Sequence, residues 1–145
     1  MSTDAEIRAV AERRFAEHRD REKYSPLGSM MLDSLDEGYQ AMEKLLMLWK
    51  GRGPVGGYKI ALTSKPIQEL CGVDQPCGGF VFRETIHPSG SELSLGDFNG
   101  LALEFELAVR IGKDIPAASA PFTAESVRDY VAACHPAFEL IDDRR

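Results

Sequence analysis

Leu101-Ala102-Leu103-Glu104-Phe105-Glu106-Leu107-Ala108-Val109 alternates without a break between large apolar side chains and small or acidic ones. Successive side chains of a strand point to opposite faces. Leu101, Leu103, Phe105, Leu107 and Val109 therefore share one face, which is expected to pack, while Glu104 and Glu106 project together from the other. Neighbouring carboxylates repel and need solvent, a cation or a shared proton. A third carboxylate, Glu139, lies in a second strand-like run, Ala137-Phe138-Glu139-Leu140-Ile141. Three oxygen donors with no His or Cys beside them suit a hard divalent ion, Mg2+ or Mn2+. The same spacing also describes a half-exposed strand with an acidic outer face, which is ordinary in antiparallel sheets.

Upstream the periodicity is helical. Thr3-x-x-Glu6 forms a capping box for a first helix, on which Ile7, Val10, Ala11 and Phe15 make one apolar stripe that Pro26 and Gly28 end. A second box, Ser34-x-x-Glu37, opens a helix with the stripe Leu35, Tyr39, Met42, Leu45, Leu46 and Trp49. Gly51 and Gly53-Pro54 stop it, and its aromatic and Met positions read as core. After Pro54 strands dominate: Gly57 to Leu62, then a short helix from Ser64 to Leu70 ended by Gly72, then a strand from Phe80 to Ile86. A turn at His87-Pro88-Ser89-Gly90 leads through a short strand to the long alternating one. Thr123 caps a last helix carrying Val127, Tyr130 and Val131, and Pro136 launches the final strand. Helices followed by strands with short turns give an α+β class.

Composition narrows the functions. One domain's worth of chain, 145 residues with 43% hydrophobic content, can build a core. A net charge of -6 with no basic stripe argues against nucleic acid. The basic residues from Arg13 to Lys23 are neutralised by Glu12, Glu17, Asp20 and Glu22 and read as a solvated helix face. No signal peptide or membrane span is evident, and Cys71, Cys77 and Cys134 lack metal-ligand spacing. They read as reduced thiols of a cytoplasmic protein, with Cys134 in the core.

Lys59 lies in the strand after Pro54, on the side shared by Ala61 and Thr63. It is either a snorkelling surface residue or, in a desolvated pocket, a proton donor and carboxylate anchor. Gln75, in the turn after Gly72, can line a site, and Asp74 can cap that turn. His18 reads as solvated; His87 and His135, each before a Pro, have no partner at ligand spacing. A Gly-x-Ser-x-Gly elbow and a phosphate loop are both lacking.

Gly57-Tyr58-Lys59-Ile60-Ala61-Leu62-Thr63-Ser64-Lys65, Gly72-Val73-Asp74-Gln75-Pro76, Leu103-Glu104-Phe105-Glu106-Leu107-Ala108 and Pro136-Ala137-Phe138-Glu139-Leu140-Ile141-Asp142-Asp143-Arg144 together resemble the 2-keto-4-pentenoate hydratase family. That family includes 4-oxalocrotonate decarboxylases and falls in the fumarylacetoacetate hydrolase superfamily. The resemblance implies N-terminal helices packed on a mixed β-roll, incomplete at the C-terminus. Residues 1–54 would be the helical region and 55–145 the first part of the catalytic roll, one domain in all. It implies a Mg2+ or Mn2+ site on Glu104, Glu106 and Glu139, with Lys59 as the pocket lysine and Gln75 beside the substrate. The implied substrate is a 2-hydroxy-dienoate or its 2-oxo tautomer from aromatic or steroid catabolism, hydrated by a lyase. The alternatives are decarboxylation of a 2-oxo acid and an inactive scaffold subunit. A homo-oligomer and a partner enzyme of the same pathway are implied, with no nucleic acid and no membrane. The chain departs from the family pattern at Cys77, where members often carry Asp, and in length, members running to nearly twice it.

Overall fold

The structure, a computed structural model, describes residues 1–144. Four helices, α1 (Asp4–Arg19), α2 (Leu35–Leu48), α3 (Lys65–Cys71) and α4 (Ala124–Arg128), are interspersed with four strands, β1 (Val55–Ala61), β2 (Cys77–Phe82), β3 (Leu101–Ile111) and β4 (Val131–Asp142). Strands pair antiparallel in two ribbons, β1 with β2 and β3 with β4. The chain divides into two compact units, Met1–Leu93 and Ser94–Arg144.

In the first unit, Thr3 and Glu6 cap α1 reciprocally: Thr3 Oγ1 accepts from Glu6 N, and Glu6 Oε2 accepts from Thr3 N at 2.7 Å. The helix ends at Arg19, well before Pro26, because the chain folds back over its own charged face. Glu17, expected to be solvated, is buried there. Its carboxylate accepts from Arg14 Nη1 at 2.6 Å, Arg13 Nε at 3.3 Å, Ser25 N at 3.2 Å and the Ser25 hydroxyl. At α2 only half of the second capping box forms. Ser34 Oγ accepts from Glu37 N, while the Glu37 carboxylate turns to Asp33 N, Ser2 N and Ser2 Oγ and ties down the N-terminus. Ile7 and Val10 of α1 meet Ala41 of α2, with Leu27, Met30 and Leu32 packed around them.

Trp49, one residue beyond α2, joins the helices to β2 through Phe15, Phe80 and Phe82 at ring separations of 6.1, 6.3 and 5.9 Å. His18, also expected in solvent, meets the Trp49 ring edge-on at 4.9 Å. β2 stops at Phe82 and a helical turn covers Arg83–Thr85, so the strand expected through Ile86 is shorter. A β-bulge in β1 falls at Gly56, where a Cβ would stand 2.6 Å from Arg83 Cα; only glycine fits this approach. Gly72, at φ +71°, closes α3 in the left-handed conformation.

The second unit is built on the β3–β4 ribbon. The alternation of β3 is as expected, but the packing is not: its apolar side chains are exposed rather than covered. Cys134 lies on that face opposite Val109 and is exposed, not core. Between Gly90 and β3 a single helical turn, Leu95–Asp97, replaces the expected short strand. β4 begins at Val131, so α4 ends before it and Pro136 lies inside the strand, opposite Leu107. A two-stranded ribbon is all edge, and an edge position needs no ladder donor from proline.

Candidate metal centre

The site rests on register. Leu103 pairs with Leu140, Glu104 with Glu139, Phe105 with Phe138 and Glu106 with Ala137. Directly opposed residues of an antiparallel pair share a face. Glu104 and Glu139 therefore stand across from each other, and Glu106 lies one alternation further along β3 on the same side. Small neighbours, Ala102, Ala108 and Ala137, leave the carboxylates room to converge.

Asp142 holds this register at the end of β4. Its Oδ1 accepts from Asn99 N at 2.5 Å and from Gly100 N, and its Oδ2 pairs with Arg144 at 2.6 Å. Burial raises the Asp142 carboxyl, but these donors outweigh it and hold the group below its ordinary value. Gly100 O in turn accepts from Asp143 N at 2.7 Å. Asp142 lies within the fourth family-like segment; its spacing to Arg144 was the available signal, but nothing in the sequence pointed back to Asn99.

One oxygen from each of Glu104, Glu106 and Glu139 lies within 4.8 Å of the others; the first two residues are exposed and the third half-buried. Among the described residues this is the one such group of three or more His, Cys, Asp or Glu side chains. Oxygens sharing a magnesium ion at about 2.1 Å can be at most roughly 4.2 Å apart, so small side-chain rotations bring all three into range. An all-oxygen donor set fits a hard dication and gives no preference for zinc or copper. His135 shares the face across from Ala108 but stands outside the cluster.

Lys59 and Gln75 belong to the first unit. Lys59 is half-buried in β1 opposite Gly79, and its stem crosses the space a side chain there would take: a Cβ at Gly79 would meet Lys59 Cγ at 3.4 Å. The sequence places Gly78 and Gly79 just before a strand, whereas both lie inside β2. The neighbouring Gly78 N donates to the Tyr39 hydroxyl at 2.9 Å, fastening β2 to α2. Gln75, with Leu35, Gly72, Val73 and Asp74, lines an open cavity of about 520 Å³. Lys65, on the far side of that turn, donates to Asp74 O at 3.0 Å. Cys77 opens β2 half-buried opposite Ala61.

A ribbon with three converging carboxylates, in a chain whose other unit carries helices and a half-buried lysine, defines a class of α+β chain already known in solved form. The fold is that of a 4-oxalocrotonate decarboxylase from Pseudomonas putida G7, complexed with magnesium and adipate. The match has a TM-score of 0.84 and 20% identity, over 99% of this chain and 55% of that one. The curated homologues are dienoate and 2-keto-4-pentenoate hydratases, which bears out the resemblance of the four segments. A 2-hydroxyhexa-2,4-dienoate hydratase of Comamonas testosteroni is 30% identical over 114 residues, 77% of this chain and 42% of the relative. A 2-keto-4-pentenoate hydratase of Dechloromonas aromatica is 30% identical over 110 residues, 75% and 41% respectively. The chain thus spans less than half the length of both relatives. No family model matches it. Among the described residues, no helix is long and apolar enough to cross a membrane.

Proposed function

We propose that the chain carries the metal-binding part of a lyase that adds water to a 2-hydroxy-2,4-dienoate, as in the breakdown of aromatic or steroid rings. The observation that carries this reading is the convergence of Glu104, Glu106 and Glu139 within 4.8 Å, in a chain whose relatives are hydratases. In it Glu104, Glu106 and Glu139 would hold Mg2+ or Mn2+, which when bound would supply Lewis acidity to a 2-oxo acid. Lys59 would donate a proton to the terminal carbon of the dienol as the 2-hydroxyl proton leaves to solvent, or anchor the substrate carboxylate, and the conjugated ketone so formed would add water. Gln75 offers an amide N–H to the substrate carboxylate or its tail. The exposed position of Glu104 and Glu106 leaves the site open to a chelating ligand.

The same reading places the chain in the cytoplasm, as one portion of a mixed β-roll within a homo-oligomer, beside a partner enzyme of its pathway. A second reading, decarboxylation of a 4-oxalocrotonate-type 2-oxo acid, is supported by the name of the solved neighbour. The two separate by product, hydrated ketone or released carbon dioxide, on 2-hydroxypenta-2,4-dienoate and 4-oxalocrotonate.

Thermal melting with and without magnesium tests the common core of both. At a hundredfold excess over Kd the ion adds about 2.7 kcal/mol. Glu106→Gln removes this shift, and a shift surviving in both Glu104→Gln and Glu106→Gln overturns the assignment.

A further inference from the structure

The short link between β1 and α3 carries a strained backbone and a buried polar side chain that the proposed chemistry does not use. Leu62, the first residue after β1, has φ +58°. That is the left-handed region, which a bulky side chain occupies only when its surroundings impose it. What imposes it is Gln68 of α3, 3% exposed, whose Nε2 donates to Leu62 O at 2.7 Å. The amide cannot be reversed, because Oε1 would then face a carbonyl oxygen, two acceptors with no proton between them. In the observed orientation Oε1 is buried with no hydrogen-bond partner among the described residues.

That orphaned oxygen argues against a purely stabilising role. A methionine of similar size would fill the same space without burying an unpaired acceptor, and Leu62 O, on a half-buried residue, can turn to water. The link instead lies where the segments of two site residues meet. The β1 ladder ends at Ala61 opposite Cys77, and the next partner would be Pro76, which has no N–H to give. The chain therefore leaves the sheet at Leu62, three residues past Lys59, and the left-handed turn sets its direction into α3. At the other end of α3, Gln68 O accepts from Val73 N at 2.9 Å, two residues before Gln75. Side chain and backbone of one residue thus join the strand of Lys59 to the turn of Gln75, all inside the first unit.

We propose that Gln68 is a positioning residue, whose amide holds Leu62 in the left-handed conformation and so fixes Lys59 and Gln75 relative to each other. The roles of those two residues rest on the function proposed above; the brace itself does not.

Three measurements on the 145-residue chain test it: nuclear magnetic resonance after isotope labelling, thermal melting, and turnover of 2-hydroxypenta-2,4-dienoate with magnesium. In Gln68→Met the midpoint should stay within about 3 °C of wild type, because losing the unpaired oxygen offsets losing the hydrogen bond. Leu62 should lose the strong amide-to-Hα Overhauser effect of positive φ. The Lys59 and Gln75 resonances should move while those of α1 and α2 stay. Turnover, as kcat/KM, should fall at least about tenfold, since misplacement by roughly 1 Å costs about a hundredfold. Glycine takes positive φ without a brace, so adding Leu62→Gly should return the Lys59 and Gln75 resonances to their wild-type positions and restore most of the turnover. The proposal is overturned by a Leu62 that stays left-handed in Gln68→Met, by unmoved Lys59 and Gln75 resonances, by unchanged turnover in an active chain, or by no recovery with Leu62→Gly. A midpoint that drops sharply, with shifts spread through α1 and α2, also overturns it and makes Gln68 a structural residue. A wild-type chain without turnover ends the hydratase reading alone, and the resonances then decide the brace by themselves.

Discussion

Glu17 shows how one side chain decides a local fold. Burial pushes its carboxyl up, but the Ser25 hydroxyl, Arg14, the Ser25 N–H and Arg13 outweigh that and bring it from 4.5 to about 2. A depressed carboxyl contributes stability that is fully present above the unfolded value and lost as pH falls through the folded one. The window is therefore from pH ~5 to pH ~2, and the contribution on the order of 2–3 kcal/mol at neutrality. Melting curves across that window should fall steeply for wild type and less steeply for Glu17→Gln, the two converging near pH 2. At neutral pH the variant should melt lower, because Arg13 and Arg14 lose their shared partner in a half-buried position. Asp142 acts alike at the other end of the chain: Asp142→Asn should loosen the start of β3, seen as faster amide exchange at Asn99 and Gly100.

At the scale of elements, β1 carries a sharp contrast between adjacent glycines. A Cβ at Gly56 would meet the Arg83 backbone at 2.6 and 2.9 Å, whereas one at Gly57 meets nothing within 4 Å. Gly56→Ala should destabilise by about 1–3 kcal/mol or more in urea melts, as overpacking against immovable backbone does. Gly57→Ala should leave the midpoint within roughly 0.5 kcal/mol. Local signals were legible in the sequence: the Thr3 box, the Gly72 stop and the strict alternation of β3 all appear as read. What failed depended on distant partners. Glu17 looked solvated because its neighbours in sequence are charged, and Ser25 meets it only after the chain turns back. Pro136 looked like a strand start because its tolerance depends on β4 being an edge. The pairing of Glu104 with Glu139 is a matter of register, which spacing along one strand does not specify; their acidic character suggested grouping them, and the likeness to known hydratases strengthened the link.

For the whole molecule, burial is unevenly shared. The buried apolar residues, Ile7, Val10, Ala11, Ala41 and Phe82, are all in the first unit, and the second is held chiefly by its ladder and the Asp142 lock. Hydrogen exchange at low protein concentration should find the amides of α1 and α2 far slower than those of β3 and β4. The opposed pair Glu104 and Glu139 has one more effect. Their strands are joined by the long excursion from Gly112 to Tyr130, and like charges set face to face push such strands apart. Under the proposed reading a dication seated there would act as a buckle on that belt: chelation would let it slacken and refilling would draw it tight, so amide exchange along the ribbon should quicken on adding a chelator.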